Sequence, residues 1–458
     1  MMILPLKKWS SKLTGKKRTW SFDKFRLYQS GEQYAICAQG SMNCDCRGGV
    51  LTTGVGLKYH YSTYGRVVPL GNDIPIQVLM TKYWDTKKNR YTEEIGYLDS
   101  RMNAFRIYKE TEETASIQGV QSLAMGTRAT TVVCNDMRWG VVFVGGSGAL
   151  YYDNWGLFKS LSSSPNVVAA RSFQHRLFIA EKPQRLHYSS VDNAAEFFEN
   201  LDVSGSLQFP WDIGEIVGLQ ELNNRLYIFF ERGIGELECD GLPREFKSKR
   251  LTYGGGKISE RLIGRCGKYI YFMAEDGLYR FDGRTAVPAL REMRVRPSRS
   301  VSVNNTTAIC EGKILFQFHN EDNNLRALVV YEDGESGYYT APKAGLTESN
   351  SRAFCCHEHY VKTVCDDGDL ETGYTYYFVT GEMNFGTEKT KILKKLRFKG
   401  EGSFHLVLRC KSEEIERDLT FENGLAEVET CWRGARFSMQ FILQKGARIE
   451  GLEVEYIV

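Results

Sequence analysis

The feature that most constrains this chain is a hairpin-like unit that recurs along it. The clearest copy, GKYIYFMAEDGLYRFDG at 267–283, has a basic residue, an apolar run, an Asp276-Gly277 turn and a second aromatic run. Asp-Gly between two alternating runs is a strong signal of a tight β-hairpin. Related units open at basic residues spaced 38, 49, 43 and 45 residues apart, namely Arg138, Arg176, Arg225, Lys268 and Lys313. A repeat of roughly 40 to 50 residues is typical of propellers and solenoids.

Both faces of these units are apolar. In the clearest copy, Ile270 and Phe272 alternate with Tyr271 and Met273, so neither face can be left in water. Because an isolated hairpin is only marginally stable, a sheet with two apolar faces needs a neighbour on each side. The segments between hairpins are rich in Gly, Ser, Thr and Asn and lack helical periodicity, which argues against βαβ units. Radially stacked four-stranded blades meet these requirements.

The sequence therefore predicts an all-β fold, a β-propeller of about seven four-stranded blades followed by a small C-terminal antiparallel β-sandwich. We place the blades near 74–112, 116–160, 165–208, 212–251, 256–300, 303–343 and 350–386. The segment 49–61 is a candidate strand for completing the last blade. From about residue 388 the strands recur at roughly ten-residue spacing, which favours a sandwich. The predicted domains are an N-terminal basic arm and lead-in at 1–48, the propeller at 49–387 and the sandwich at 388–458.

The overall charge says little about partners. With 59 basic and 56 acidic side chains, the chain has no general electrostatic attraction to nucleic acid or to membrane lipid. The local exception is KKWSSKLTGKKR at 7–18, which brings six cations together before the first acidic residue, Asp23. We interpret it as a solvated arm, and the alternative is an arm that docks on an acidic partner or on DNA.

Targeting signals and cysteines point to a reducing compartment. The apolar run in MMILPLKKW is too short for a secretory signal, and no stretch reaches the roughly 20 apolar residues of a membrane helix. We therefore expect synthesis in a cytoplasm and no membrane association. The 12 Cys residues include no CxxC pair and mostly lie in apolar runs, so they are expected to be reduced and to pack as small hydrophobes.

Three stretches resemble ligand sites, but each lacks part of its motif. YGGGKIS at 253–259 has Leu251 and Ile258 where a P-loop needs glycine and a hydroxyl, so we expect a connection between blades. FCCHEHY at 354–360 would place Cys355, His357 and His359 on one strand face, without zinc-finger or HExxH spacing. DDGDLE at 366–371 fails the EF-hand spacing and suits a hairpin turn. No cofactor-binding or metal-binding residue is predicted.

Catalytic signatures are also missing from the sequence. No G-x-S-x-G nucleophile elbow and no S-x-D-x-G-x-x-W turn of sialidase-type propellers occurs, and only seven His residues exist. We therefore predict that the chain is not an enzyme, and we nominate no catalytic residue. Trp211, ahead of the strand in WDIGEIVGL at 211–219, is expected to be a packing anchor rather than a platform for a ligand.

Four segments carry a resemblance to a known family: SMNCDCRGGVLTTGVGL at 41–57, HYSSVDNAAEFFEN at 187–200, WDIGEIVGLQELNNRLYIFFERGIGELECDG at 211–241 and MNFGTEKTKILKKLRF at 383–398. In these segments the chain resembles the β-propeller virion proteins of tailed bacteriophages. That group includes the tail accessory or DNA-stabilisation proteins of short-tailed phages and related tail proteins encoded by prophages. CDCRGG departs from the small polar residues that the family usually has there.

The resemblance implies a structural virion protein that forms a homo-oligomeric ring at the head–tail junction or in the tail. Such a ring would stabilise the particle, retain DNA and dock further tail components. The implied partners are portal or adaptor, tail-tube and tail-fibre proteins, and the implied location is the virion, assembled in the bacterial host cytoplasm. No cofactor is implied.

Fold alone leaves two other classes open, since propellers host many unrelated functions. One is a glycan-binding or glycan-cleaving propeller acting on a bacterial surface, which would need two carboxylates about 5 to 9.5 Å apart in a cleft if it cleaves. The other is a cytoplasmic scaffold of a cellular complex, which fits the absence of targeting signals.

Overall fold

The computed structural model describes two compact units. One unit is Gly54–Tyr374, and the other combines Met1–Thr53 with Thr375–Val458. Within the described residues the regular elements are strands and two short 3-10 turns, and no helix there is long and apolar enough to cross a membrane. The described residues are 17–22, 43–61, 65–70, 75–85, 89–99, 101, 104–110, 115–134, 138–146, 148–153, 158–197, 203–290, 296–298, 305–321, 323–332, 334, 336–339, 344–349, 352–357, 359–370, 374–411 and 413–458.

The unit Gly54–Tyr374 is a β-propeller, and its described residues form seven four-stranded antiparallel sheets. Strands are numbered along the chain. The first two blades contain β5 (Pro75–Asp85), β6 (Arg90–Asp99), β7 (Ala104–Glu110), β8 (Ala115–Ser122), β9 (Arg128–Cys134), β10 (Arg138–Gly145), β11 (Gly148–Asp153) and β12 (Phe158–Ser162). The next two contain β13 (Val167–Phe173), β14 (Arg176–Glu181), β15 (Arg185–Tyr188), β16 (Gly205–Gln208), β17 (Ile216–Leu222), β18 (Arg225–Phe230), β19 (Gly233–Glu238) and β20 (Lys247–Leu251).

The remaining three blades follow the same order, with one exception in the last. Their strands are β21 (Ile258–Cys266), β22 (Tyr269–Ala274), β23 (Gly277–Phe281), β24 (Ala286–Ala289), β25 (Thr306–Cys310), β26 (Lys313–His319), β27 (Leu325–Tyr331), β28 (Ser336–Tyr339), β29 (Ala344–Ser349), β30 (Arg352–His357), β31 (Tyr360–Cys365) and β4 (Gly56–Tyr59). The first strand of each blade lies beside the first strand of the next, and β29 lies beside β5, so the ring is closed.

The closing strand comes from the N-terminal side of the first blade. β4 pairs antiparallel with β31, and Leu57 lies opposite Val364. Leu57 also exchanges backbone hydrogen bonds with Asp369, at 2.8 and 3.1 Å. The predicted completion of the last blade from within 49–61 is confirmed.

Seven apolar clusters explain why the hairpins are apolar on both faces. One cluster lies between each pair of neighbouring blades, including the last and the first. In the fifth blade, Ile270 and Phe272 pack towards the fourth, whereas Tyr271 and Met273 pack towards the sixth. Period-two alternation thus supplies both interfaces from one strand.

The basic residues that mark the repeat occupy one structural position. Arg138, Arg176, Arg225 and Lys313 each open the second strand of a blade, and Lys268 directly precedes β22. Their roles are structural where side chains are described. For example, the guanidinium of Arg176 donates to the carbonyl oxygens of Ser189 and Val203 at 2.7 and 2.5 Å.

The other unit is an antiparallel β-sandwich built from both ends of the chain. One sheet contains β1 (Lys17–Phe22), β2 (Cys44–Asp45), β3 (Leu51–Thr53), β33 (Lys391–Glu401), β36 (Leu425–Gly434) and β38 (Arg448–Ile457). The second contains β32 (Tyr376–Val379), β34 (Ser403–Cys410), β35 (Glu413–Thr420) and β37 (Ser438–Leu443). Phe398 of the first sheet packs edge-on against Phe404 and Phe441 of the second, with ring centroids 5.3 and 5.8 Å apart.

The structure sets several boundaries differently from the sequence prediction. β8 completes the first blade instead of opening the second, and β32 pairs with β37 of the sandwich instead of ending the last blade. β1 and β2, within the predicted arm and lead-in, also belong to the sandwich. Alternation identifies a strand, whereas its partner depends on segments far away in the sequence. The predicted basic arm at 7–18 lies outside the described residues except for Lys17 and Arg18, which open β1.

The 3-10 turns and the main hairpin turn refine the local predictions. The 3-10 turns are Arg47–Gly49 and Pro243–Glu245. In the fifth blade the two-residue turn is Glu275-Asp276, one position earlier than predicted. Gly277 opens β23 opposite Ala274 with φ of +144°, a backbone conformation that favours glycine.

Cysteine side chains behave as small hydrophobes at most described positions. Eight of the ten whose environment is described are buried, whereas Cys431 is exposed. Burial raises the pKa of the Cys239 thiol to about 12, so its reactive thiolate is scarce near neutral pH.

We therefore expect iodoacetamide to alkylate Cys431 of the native protein more than about tenfold faster than Cys239, because thiolate access controls the rate. Peptide mass spectrometry over a time course measures both rates. In urea the two rates should converge. Equal rates in the native protein would contradict the burial of Cys239.

Candidate functional site

The axis of the propeller carries a cavity of about 510 Å³ lined by the first strands of the seven blades. Its volume lies in the range of small-ligand sites. Five charged side chains line it, although apolar clusters fill the spaces between blades: Arg128, Arg171, Glu221, Arg261 and Glu348. This central channel is therefore the concave, charged site that the fold itself creates.

Side chains bridge the first strands of neighbouring blades, because the inner edge of each strand has no partner within its own blade. The amide of Gln77 accepts from the backbone N–H of Ala129 at 2.8 Å and donates to its carbonyl oxygen at 3.2 Å. The hydroxyl of Thr307 donates to the carbonyl oxygen of Arg261 at 2.8 Å. These bonds hold the channel wall and fix the position of its charged residues.

Arg128 and Arg261 form a pair of like charges in this wall. Arg128 opens β9 and is 9% exposed, and Arg261 lies within β21. Burial, together with the smaller effect of the positive charge of Arg261, lowers the pKa of Arg128 to about 10. Burial also lowers the pKa of Arg261, which the carboxylate of Glu260 partly offsets. Both guanidinium groups remain cationic at neutral pH.

A β-bulge places Arg261 in the channel wall. Ile258 lies opposite Ala274 and Ile263 opposite Phe272, so four residues of β21 face one residue of β22. Arg261 itself has φ of +70°, in the left-handed region that a long side chain seldom adopts. Bulges of this kind redirect a side chain at the cost of local strain.

A second group of charges combines both signs. The guanidinium of Arg171 lies 3.9 Å from a carboxylate oxygen of Glu221, and that of Arg265 lies 3.6 Å from the same oxygen. Burial raises the pKa of Glu348, whereas the charge of Arg171 and the backbone N–H of Ile309 oppose this rise. Glu221 thus has two arginine partners, whereas burial penalises the ionised form of Glu348.

We expect Glu348→Gln to stabilise the protein at neutral and higher pH. Because the folded-state pKa of Glu348 is raised, the wild type loses stability as pH increases from the unfolded-state pKa through the folded-state pKa. The amide has no such loss, so the gain should be of the order of 1 kcal/mol at pH 7.5 and vanish at pH 4. Urea unfolding of both proteins at the two pH values measures it. A gain of equal size at pH 4 would contradict the ionisation account.

The glycine-rich stretch 253–259 connects two blades, as predicted. It runs from the end of β20 into β21. Lys257 pairs with Glu231 at 2.6 Å, and the backbone N–H of Gly256 donates to a carboxylate oxygen of Asp276 at 3.0 Å. The lysine is engaged in a salt bridge between neighbouring blades.

The Cys and His stretch 354–360 is distributed over different environments. Cys355 packs between the sixth and seventh blades, and Cys356 between the seventh and the first. His357 ends β30 with its Nδ1 3.0 Å from Nζ of Lys362, and His359 lies in the following turn. Across the part of the chain that the structure describes, no three His, Cys, Asp or Glu side chains come together as metal ligands.

The acidic stretch DDGDLE helps to hold the closing strand, apart from Glu371, which lies outside the described residues. Asp367 bonds Lys58 of β4, and Asp366 bonds Lys313 with 2.5 Å between Nζ and Oδ1. Salt bridges thus join this turn to two neighbouring strands, in addition to the backbone bonds of Asp369. Asp366 and Asp367 form the turn after β31, as the sequence predicts.

Trp211 is a packing anchor, as the sequence predicts. Its ring lies 4.9 Å from that of Phe209 and 5.6 Å from that of Phe230, against the cluster between the third and fourth blades.

Sequence reasoning missed the channel residues. Arg128, Arg171, Glu221, Arg261 and Glu348 all lie on the strand that precedes the hairpin of their blade. A charged residue recurring in that otherwise apolar or small-residue strand was the available signal.

Comparisons with known proteins give structural likeness alone. No protein-family model and no curated protein matches the chain. Among solved structures, a chain of the mitotic checkpoint complex is 12% identical with a TM-score of 0.40, covering 68% of this chain and 96% of that one. The WD40 domain of SCAP from fission yeast is 10% identical with a TM-score of 0.35, covering 88% and 97%.

A functionally unknown protein from Desulfotomaculum acetoxidans is 13% identical with a TM-score of 0.38, covering 64% of this chain and 97% of that one. Likeness at this level carries no argument about activity or partners. The strand order and the closed ring of first strands establish the architecture: the chain is a β-propeller joined to an antiparallel β-sandwich.

Proposed function

We propose that this protein is a non-enzymatic structural component of a tailed bacteriophage or a phage-derived particle. It would form a homo-oligomeric ring at the head–tail junction or in the tail, stabilise the particle, retain DNA and dock portal, tube or fibre proteins. Assembly would take place in the bacterial host cytoplasm. A closed ring of copies requires heterologous contacts between neighbouring subunits.

The proposal rests on the positions, in the fold, of the four segments that resemble the phage propeller proteins. Segment 41–57 contains β2 and β3 and runs into β4, the closing strand. Segment 383–398 runs into β33, which lies between β38 and β36 in one sheet of the sandwich. Segment 211–241 forms the first three strands of the fourth blade, and segment 187–200 begins with the last two residues of β15, the third strand of the third blade. The shared features therefore lie on framework elements, which supports a role based on architecture.

Purified particles test the proposal. Particles induced from the host strain should contain the chain in a fixed copy number relative to the portal, measured by quantitative mass spectrometry. Antibodies against the chain should label the tail or head–tail region in negative-stain micrographs. Absence of the chain from intact particles would overturn the proposal.

A second candidate is glycan cleavage, which one observation favours. Glu221 and Glu348 line the same channel, the first paired with arginines and the second with a raised pKa. A carboxyl group with a raised pKa can serve as the acid in glycoside hydrolysis when a second carboxyl group lies in the same cleft. Release of reducing sugar from host surface polysaccharide, abolished by both Glu221→Gln and Glu348→Gln, would support this function. No release by the wild type would contradict it.

A further inference from the structure

A second cavity lies at the outer edge of the seventh blade. Its volume is about 480 Å³, and β4, the outermost strand of that blade, supplies much of its wall. Cavities of this size accept small ligands. The lining residues of this cavity and of the central channel do not overlap, so the two are separate sites.

Tyrosine rings form one wall of this outer cavity. Tyr59 ends β4, and Tyr61 follows it in a β-bridge with Val67. Residues two apart in an extended chain project from the same face, and these two side chains are 41% and 59% exposed. The ring of Tyr360, on the neighbouring strand β31, meets that of Tyr59 edge-on with centroids 5.6 Å apart. Adjoining exposed aromatic rings of this kind mark an interaction site.

A buried lysine holds the Tyr59 ring in place. Lys362 lies opposite Tyr59 in the pairing of β31 with β4, lines the same cavity and is only 9% exposed. Its Nζ lies 4.5 Å from the centre of the Tyr59 ring and 3.0 Å from Nδ1 of His357. The cation–π contact orients the ring before any ligand arrives, and a cationic ligand would meet like charge there.

The rest of the wall combines balanced charges with apolar surface. Of the two lysines that line the cavity, Lys58 forms a salt bridge with Asp367, and Asp369 lies in the same wall. Leu57 and Leu370 supply the apolar part. A purely apolar ligand would desolvate the charged groups without compensation, and an anion would compete with Asp367 for Lys58. The wall therefore suits a neutral molecule that has both an apolar face and hydroxyl groups.

We propose that this outer cavity binds a neutral oligosaccharide on the rings of Tyr59 and Tyr61. A pyranose ring presents C–H bonds on its flat face, which packs on tyrosine rings, and hydroxyl groups at its edge. Those hydroxyls both donate and accept, so they match the ammonium of Lys58 and the carboxylate of Asp369. The site requires neither the proposed role in a particle nor the carboxyl groups of the channel.

Saturation-transfer difference NMR on the full chain tests the site. The probes are maltotriose, cellotriose and tri-N-acetylchitotriose, each titrated to about 10 mM, above the millimolar range of weak specific binding. Tyr61→Ala removes the most exposed ring, Tyr61→Phe restores it without the hydroxyl, and Tyr59→Leu is the second variant of the wall. The matched control is Tyr91→Ala, because Tyr91 on β6 of the first blade is 58% exposed and does not line the cavity. Thermal unfolding of each variant checks that it is folded.

We expect the wild type and Tyr91→Ala to bind at least one of the three trisaccharides saturably and with equal affinity. Tyr61→Ala and Tyr59→Leu should bind it about fivefold or more weakly, the scale of one lost aromatic contact, and Tyr61→Phe should bind it more tightly than Tyr61→Ala.

Four results would overturn the proposal. They are no saturable binding of any of the three probes by the wild type, unchanged binding by a folded Tyr61→Ala, equally tight binding of inorganic sulfate, and self-association without sugar binding. The last, measured by light scattering and lost in Tyr61→Ala, would show that a second copy of the chain covers the tyrosines.

Discussion

Phe272→Asp is expected to unfold the propeller under conditions in which the native chain is stable. Phe272 is fully buried between the fourth and fifth blades. Its ring stacks on Tyr279 with centroids 5.5 Å apart and lies 5.3 Å from the ring of Phe229. The substitution removes these contacts and leaves an unpaired carboxylate in an apolar core, so the free energy of unfolding should fall by about 5 kcal/mol. Urea unfolding followed by circular dichroism measures the loss.

Lys268→Glu is the matched control, four positions earlier in the same hairpin. Lys268 is exposed, and its Nζ lies 5.4 Å from the centre of the Tyr269 ring. Reversing its charge should cost no more than about 0.5 kcal/mol, the scale of an exposed cation–π contact. An unchanged unfolding midpoint for Phe272→Asp would show that packing between blades is not what stabilises the ring.

Gly56→Ala is expected to weaken the closure of the ring by about 2 to 3 kcal/mol, the scale of an overpacked contact. Gly56 and Gly368 meet backbone to backbone, and a Cβ on Gly56 would lie 2.4 Å from the carbonyl carbon of Gly368. Since neither backbone can move without breaking the Leu57–Asp369 bonds, β4 should detach first. Hydrogen exchange of the Leu57 and Asp369 amides should accelerate together with the loss of stability.

Gly254→Ala provides the comparison for the added methyl group. Gly254 lies in the connection between the fourth and fifth blades, and a Cβ there would have no heavy atom within 4 Å. Its unfolding free energy should stay within about 0.5 kcal/mol of the wild type. If Gly56→Ala kept the Leu57 and Asp369 amides as protected as in the wild type, closure through β4 would be refuted.

The fold class could be predicted from the sequence, because the patterns that indicate strands and hairpins extend over only a few residues. The alternation of Ile270 and Phe272 with Tyr271 and Met273 depends only on the period of a strand, and it identified two buried faces. The turn around Asp276 follows from the conformational freedom of Gly277. Because the unit repeats along the chain, the apolar faces of successive hairpins can pack against one another, which favours the stacked blades of a propeller.

The channel could not be predicted from the sequence, because its lining residues come together only in the folded structure. Arg128 and Arg261 come from the second and fifth blades, and Gln77 reaches Ala129 across a blade boundary. The bulge that places Arg261 in the wall could not be predicted from the sequence. Its segment, ISERLIG, has the pattern of an ordinary strand and contains no residue typical of a turn at the bulge. Asp366 and Asp367 are similarly predicted as turn residues, but their salt bridges to the lysines of β4 and β26 appear only in the folded structure.

The sequence by itself therefore determined the strands, the hairpins and the two buried faces of each blade, since these follow from period-two alternation and turn chemistry within a few residues. Only the tertiary structure decided that β4 closes the ring, that β1, β2 and β32 join the sandwich, and which charges face the axis. Those outcomes depend on backbone pairing and on the approach of residues that are far apart in the chain. Local patterns in the sequence leave such partners unspecified.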